Sequence, residues 1–532
     1  MSAATNISQP ELELLSPSRI GESVELRSRI GNISRQSFVY FGGTMLTAVA
    51  SYFFKVYLAR KLGAEALGLY ALGMTLVGFA GLFNSLGLPN AATRFVAAYS
   101  ATGERHRLAG FFRGSLGVLV LLNVLLGAAF LICGPWLAVR FYHAPKLGPY
   151  LWAFAVIMFT GVLAMFLGRV LAGYREVARR TIATHLIGTP TNILIAIVLI
   201  SLGFGLRGYL IAQVISALLT VCLLGVFLWK MLPREARSLS FENARLEREV
   251  ITFSAAAYGI VCLQFVLAQA DTIVLGHYLR AREVGIYAVA TAMVGMVSIG
   301  LDSVNQIFSP MISELHAAHK QELLQQLYSI LTKWILILTF PLAAALIFFS
   351  RQIMSVFGSG FEPGAVVVII GTIGQLVNCA VGSVGYLLQM SGHQSTLIRI
   401  QAVNAVVLVA LNFVLIPRLG IAGAALASGV ATVLTNVPSL IAVRKILKLS
   451  PYHMGYLKLG APALACVTCL FALTRFSDQF HHQWEAAAAA LLMAYVIFLG
   501  TFLLGGLDPA DRMFARFAWA RVGQSFRRMA VA

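Results

Sequence analysis

Charge is the first thing this sequence is short of. Only 11% of its 532 residues are charged, against 59% that are hydrophobic. A water-soluble protein of this size carries roughly twice that charged fraction. Cysteine is sparse as well: all six (Cys133, Cys222, Cys262, Cys379, Cys466, Cys469) fall in apolar runs or at their edges, which argues against a disulfide framework. Cys466-Val-Thr-Cys469 has redox or metal spacing but no second pair to complete it. Gly203-Phe-Gly205-Leu-Arg-Gly208 matches a dinucleotide fingerprint in letters. It follows an apolar helix rather than a strand, so it reads as a tight turn. His481-His-Gln-Trp-Glu485 fits a polar loop better than a metal site. No phosphate-binding loop, nucleophile–base arrangement or metal-ligand set remains, so neither an enzyme nor a cofactor is expected. The first 37 residues have no basic stretch followed by a short apolar core and a small-residue cleavage site, and no cleaved signal peptide is expected.

What is abundant is apolar runs of about 20 residues, the length needed to cross a bilayer as a helix. Fourteen are predicted: 38–60, 66–88, 111–133, 149–171, 182–202, 208–230, 251–276, 284–308, 327–349, 364–389, 396–416, 421–443, 456–474 and 485–506. The fold class is therefore an all-α polytopic membrane protein. An even number of spans puts both termini on one side. Of the 40 Lys and Arg, 28 fall on the side of the termini and 10 on the other, with Lys55 and Lys333 inside spans. Because basic loops stay inside, both ends are expected in the cytoplasm. The net charge of +19 is mostly this topology signal, with an attraction to anionic headgroups added. No basic soluble domain exists to bind nucleic acid.

The chain also repeats itself. A shift of 217 residues carries Leu62, Ala64, Gly68, Tyr70, Ala71, Val77 and Gly78 onto Leu279, Ala281, Gly285, Tyr287, Ala288, Val294 and Gly295. A second echo, at an offset of 215, relates Gly205-Leu-Arg-Gly208-Tyr-Leu-Ile-Ala212 to Gly420-Ile-Ala-Gly423-Ala-Ala-Leu-Ala427. Two matches in order argue for a duplicated multi-helix unit, its copies parallel about an axis along the membrane normal. The expected organisation is a cytoplasmic tail (1–37), a first lobe of six helices (38–232) and a charged cytoplasmic linker (233–250). A second lobe of six helices (251–447), an extra helix pair (448–507) and a basic amphipathic cytoplasmic tail (508–532) follow. The first tail is expected to be flexible, with an amphipathic piece near Ile20–Ile33 as the alternative.

Leu58-Ala-Arg-Lys-Leu-Gly-Ala-Glu-Ala-Leu-Gly68-Leu-Tyr70, followed by Gly87-Leu-Pro-Asn-Ala-Ala-Thr-Arg94, resembles the first helix pair of the Wzx-like oligosaccharide (polysaccharide-lipid) flippases. These belong to the multidrug/oligosaccharidyl-lipid/polysaccharide exporter (MOP) superfamily. Asp271-Thr-Ile-Val-Leu-Gly276 with Val284-Gly-Ile-Tyr287, and Leu419-Gly-Ile-Ala-Gly-Ala-Ala-Leu-Ala427, are similar to its second-half motifs. The likeness covers roughly residues 35–450. It implies two lobes around a cavity that opens alternately to either side of a bacterial inner membrane. The implied cargo is an oligosaccharide on a polyprenyl pyrophosphate, destined for O-antigen and lipopolysaccharide, capsule or exopolysaccharide. Membrane lipids and polysaccharide polymerase or export proteins are the implied partners. A drug or cation antiporter on the same fold and a peptidoglycan lipid-precursor flippase stay open as alternatives. A polysaccharide polymerase or ligase is disfavoured by short outer loops.

A pyrophosphate cannot cross hydrocarbon unaided, so charged residues within the spans are the first candidates for its path. Each costs about 2.5–3.5 kcal/mol on insertion scales unless paired or hydrated. Lys55 and Asp271 lie at nearly equivalent repeat positions. They are expected either to pair across the lobes or, for Lys55, to snorkel and, for Asp271, to cap backbone. Asp302 is expected to carry a coupling ion, to pair with Lys333, or to bond a hydroxyl. Lys333 suits either the path or snorkelling. Arg94, Arg113, Arg169 and Arg399 lie at cytoplasmic helix ends, where guanidinium forks match phosphate; topology signalling accounts for each as well. The candidates are thus Lys55, Arg94, Arg113, Arg169, Lys333 and Arg399 for a cationic path, and Asp271 and Asp302 for ion coupling or gating. Asn192, Gln213, Gln264, Gln269, Gln375, Asn378, Gln401, Asn404 and Asn412 offer hydrogen bonds to sugars or glue between helices. Pro190 and Pro341 are candidate kinks.

Overall fold

Helices are the one regular backbone form that satisfies its own hydrogen bonds segment by segment in lipid. In the computed structural model every regular element among the described residues is a helix. The described residues are 17–174, 176–232, 247–452, 454–475 and 483–505, without the side chains of 17–46, 48, 256, 257, 454 and 483. The region 1–16, the linker interior 233–246, His481 and His482, and the tail 508–532 lie outside them.

In chain order the elements are α1 (Pro17–Asn84), α2 (Leu88–Thr102), α3 (Arg105–Arg140), α4 (Leu151–Gly173) and α5 (Val177–Thr181). A π-helical stretch, Ile182–Gly188, leads into α6 (Thr189–Ser201), and α7 (Gly205–Trp229) follows. The second repeat has α8 (Arg248–Tyr278), α9 (Ala281–Ala317), α10 (Gln321–Phe348), the short α11 (Ser350–Ser355), α12 (Ala365–Val381) and α13 (Val384–Met390). It ends with α14 (Gln394–Leu419) and α15 (Ile421–Ile446), before the final pair α16 (Gly460–Thr474) and α17 (Gln483–Leu504).

Thirteen helices among the described residues are long and apolar enough to cross a membrane. The first contains the bend at Gly63 (φ 77°, ψ 173°), so α1 is two helices, matching the predicted pair of spans. A left-handed φ of this kind suits glycine, which has no Cβ to clash. The segment 17–37, expected as a flexible tail, is helical and runs unbroken into the first span. The second predicted span ends early, at Asn84, and a separate 15-residue helix, α2, takes up its end. The tenth is interrupted at Gly382, leaving α12 and α13 as two pieces. Pro190 follows directly on the π-helical stretch, inside the continuous helical run Val177–Ser201.

The chain forms two compact units that cut across the repeat. The first comprises 1–54, 83–129 and 152–258. Its core joins α2, α3, α4 and α7 around Phe95, Phe112, Phe166 and Leu224, with the Phe112 and Phe166 rings stacked at 5.9 Å. The second comprises 55–82, 130–151 and 259–532. It therefore includes pieces of the first repeat. One of its cores gathers Phe308, Tyr328 and Leu387, and the Tyr328 hydroxyl donates to the Val381 carbonyl at the α12 break (2.7 Å). Another core sets α16 and α17 against α10 through Phe349, Cys466 and Phe498. The extra helix pair is thus packed onto the second repeat.

Candidate functional site

Four helices of the second unit converge on one carboxylate. Asp271 of α8 accepts a hydrogen bond on Oδ2 from the Tyr287 hydroxyl of α9 (2.7 Å) and on Oδ1 from Asn412 Nδ2 of α14 (2.7 Å). The Ser428 hydroxyl of α15 also donates to Oδ2. An ionised carboxylate needs such donors wherever water is excluded. All three are neutral. The expected partner Lys55 is not among them: it is exposed on the first arm of α1, so the predicted Lys55–Asp271 pair is corrected to a network of neutral donors. Asn412 is fully buried, and its Oδ1 has no hydrogen-bond partner. Asp271, that orphan oxygen and the Ser428 hydroxyl form a set of hard oxygen atoms that could hold a proton or a small cation.

The other acidic candidate lies elsewhere. Asp302 is on an exposed face of α9 beside exposed Ser303 and Gln306, one turn on from Ser298. Its predicted pairing with Lys333 does not occur. Lys333 is 1% exposed, and its ammonium lies 5.8 Å from the Phe502 ring centroid of α17. At that burial Lys333 reaches neither the membrane surface nor an open path in this conformation. The last helix covers Lys333.

The arginine candidates divide between the units. Arg399 is exposed on α14 in the second. In the first, Arg113 and Arg169 are half-buried on α3 and α4, and Arg169 Nε is buried with no hydrogen-bond acceptor. Arg94 is engaged: it pairs with Glu249 at 3.2 Å and lies 4.9 Å from the Phe253 ring centroid. Its role there is to brace α2 against the start of α8. Among the intramembrane amides, Asn404 of α14 serves as glue, donating to Thr435 of α15 (2.6 Å), whereas Asn378 donates to Gln375 within α12 itself (3.0 Å).

Beside Arg94 lies a polar clamp that sequence reasoning missed. Arg107, in the first turn of α3, grips Glu247 through Nε (2.7 Å) and a terminal nitrogen (2.5 Å), and also reaches Glu104 (2.6 Å). The Tyr99 hydroxyl donates to Glu247 as well (3.2 Å), and the guanidinium lies 4.9 Å from the Tyr99 ring centroid. The hydrogen bonds from Arg107 hold the Glu247 carboxyl below its usual range. Burial and the adjacent Glu247 push the Tyr99 hydroxyl up. The clamp fixes the end of the inter-repeat linker to α2 and α3. It was hidden because its parts are 140 residues apart and each alone reads as a surface charge.

This fold is shared with solved structures. The lipid II flippase MurJ, in an inward closed conformation, superposes with a TM-score of 0.70 over 87% of this chain and 98% of its own, at 16% identity. An inward-facing multidrug resistance MATE family transporter of the MOP superfamily does so with a TM-score of 0.59 over 75% of this chain and 94% of its own, at 15% identity. The chain belongs to the polysaccharide biosynthesis protein family, whose model matches residues 33–316. It is similar to two Haloferax volcanii proteins. The probable low-salt glycan biosynthesis flippase Agl15 is 22% identical over 414 residues, covering 76% of this chain and 82% of the relative. The probable flippase AglR is 22% identical over 463 residues, covering 83% and 90%.

Proposed function

We propose that this protein flips a polyprenyl-pyrophosphate-linked oligosaccharide from the cytoplasmic to the outer leaflet of the inner membrane, for surface polysaccharide assembly. It acts as a transporter rather than an enzyme, with both termini in the cytoplasm. The observation that carries this reading is the family match over 33–316. The repeated fold and the flippase relatives support it. Lys55, Arg113, Arg169 and Arg399 are the cationic candidates for the pyrophosphate path, and Arg169, with its unmatched buried nitrogen, is the foremost. Lys333 is set aside by its burial.

Asp271 supplies the coupling. The Tyr287 and Ser428 hydroxyls both aim at one carboxylate oxygen. A proton placed on that oxygen needs an acceptor, so one hydroxyl must turn away or reverse its bond. Uptake or release at Asp271 thus re-sorts the hydrogen bonds joining α8, α9, α14 and α15, and an ion gradient can bias the position of these helices. Asp302, exposed on α9, is the second candidate carrier.

The test is made on cell lipids. Deleting the gene is expected to accumulate a complete sugar unit on polyprenyl pyrophosphate in the cytoplasmic leaflet, its mass identifying the cargo. A peptidoglycan precursor in its place assigns the protein to that branch. An unchanged lipid pool with altered sensitivity to cationic drugs would overturn the flippase reading in favour of an antiporter.

A further inference from the structure

The 217-residue offset carries Ala64 onto Ala281 and Gly68 onto Gly285. In the second compact unit these four residues meet. A Cβ on Gly68 would run into the Ala281 carbonyl and come within 3.0 Å of the Gly285 nitrogen. A Cβ on Gly285 would run into the Ala64 carbonyl and come within 2.7 Å of the Gly68 nitrogen. Each copy thus does to the other what the other does to it, the signature of a twofold contact. The repeat axis passes between the two glycines.

Both sides are small-xxx-small steps, Ala64 to Gly68 and Ala281 to Gly285, the pattern that lets backbones approach in membranes. Beneath the seam the same two repeats touch again. Thr75 Oγ1 lies 3.4 Å from Gln269 Oε1, and the Phe79 and Phe265 rings are 6.3 Å apart. Between the seam and these contacts, the Leu72 and Tyr142 side chains cover Gly276.

We propose that Gly68 and Gly285 form the seam that shuts this end of the protein, and that a side chain at either position moves the population toward the conformation open there. The groups in the way are backbone, so no rotamer change makes room and the helices must part. In a conformation with the two turns separated, the same side chain meets nothing. The substitution therefore destabilises one state selectively, which is what shifts a two-state equilibrium. Calling this end external rests on the orientation proposed above.

The experiment uses the full chain, with its native cysteines replaced and Thr75→Cys as reporter. Thr75 is 1% exposed. Labelling by a membrane-impermeant maleimide is followed in right-side-out and inverted vesicles. Gly68→Val and Gly285→Val are each expected to raise the rate about tenfold or more in right-side-out vesicles. Gly81→Val and Gly295→Val, at glycines with nothing within 4 Å of a new Cβ, are expected to leave it unchanged. Unchanged labelling in Gly68 and Gly285 variants that insert normally would overturn the proposal, as would an equal rise in the controls. A rise seen only in inverted vesicles keeps the seam and overturns the orientation. Should neither valine variant insert, Gly68→Ala and Gly285→Ala, whose single added Cβ already meets a backbone carbonyl, are expected to raise labelling about threefold, and no rise there counts against the seam.

Discussion

Asp271 and Lys333 are both ionisable groups within membrane helices, and their surroundings give them opposite roles. Asp271 is held by donors on three other helices, so changing it alters how those helices meet. Asp271→Asn keeps the shape and removes the titrating group. It is expected to reduce flipping about tenfold or more at unchanged protein level, measured as rescue of a deletion strain. Lys333 is sealed against Phe502, and Lys333→Met is expected to keep flipping within about twofold. Arg169→Gln, by contrast, is expected to lower it about tenfold, with Arg169→Lys intermediate because an ammonium lacks the planar fork. The sequence exposed Asp271 as a costly charge and Asn412 as an intramembrane amide. It did not single out Ser428, which follows an alanine-rich motif, or give Tyr287 a role beyond its place in the repeat and in a family-like motif. Burial order cannot be read from one span alone, which is why Lys333 looked accessible until α17 was seen above it.

Among elements, the junction of α2 and α3 with the start of α8 depends on Arg107 and Glu247. Glu247 titrates below the ordinary glutamate range of about 4.3. A depressed carboxylate contributes fully above its unfolded pKa and loses that contribution as pH falls through the lower folded value. The clamp is therefore expected to be intact at neutral pH and to loosen as pH falls below the ordinary glutamate range. Glu247→Gln is expected to bring this local loosening to neutral pH, read as faster proteolysis of the linker in detergent. High salt should narrow the difference from wild type, because the paired side chains are partly exposed to solvent. Helix existence was legible from apolar length, while breaks were less so. The bend at Gly63 falls in the gap 61–65 between the first two predicted spans. The interruption at Gly382 was not legible, because the run on either side of it stays apolar and hydropathy does not register a backbone turn. The clamp was illegible for a different reason: sequence does not bring residues 107 and 247 together.

For the whole molecule, the repeat gives the clearest line from sequence to mechanism. A 217-residue offset found in letters alone predicts which residues are equivalent, and the structure places two equivalent glycines against each other. The compact units then show what the repeat could not: 55–82 and 130–151 of the first copy are packed with the second. Duplication sets equivalence, whereas packing depends on the conformation the chain occupies. On the function proposed above, the protein moves a lipid-linked glycan between leaflets. This function is tested most directly by reconstituting the purified chain in vesicles with polyprenyl-pyrophosphate oligosaccharide extracted from a deletion strain. The readout is the fraction of glycan open to an added glycosidase over time, with and without an ion gradient. The account predicts that wild type exposes the sheltered glycan faster than empty vesicles, that a gradient accelerates it, and that Asp271→Asn removes the gradient effect. Exposure no faster than in empty vesicles, with the protein folded and inserted, would contradict it.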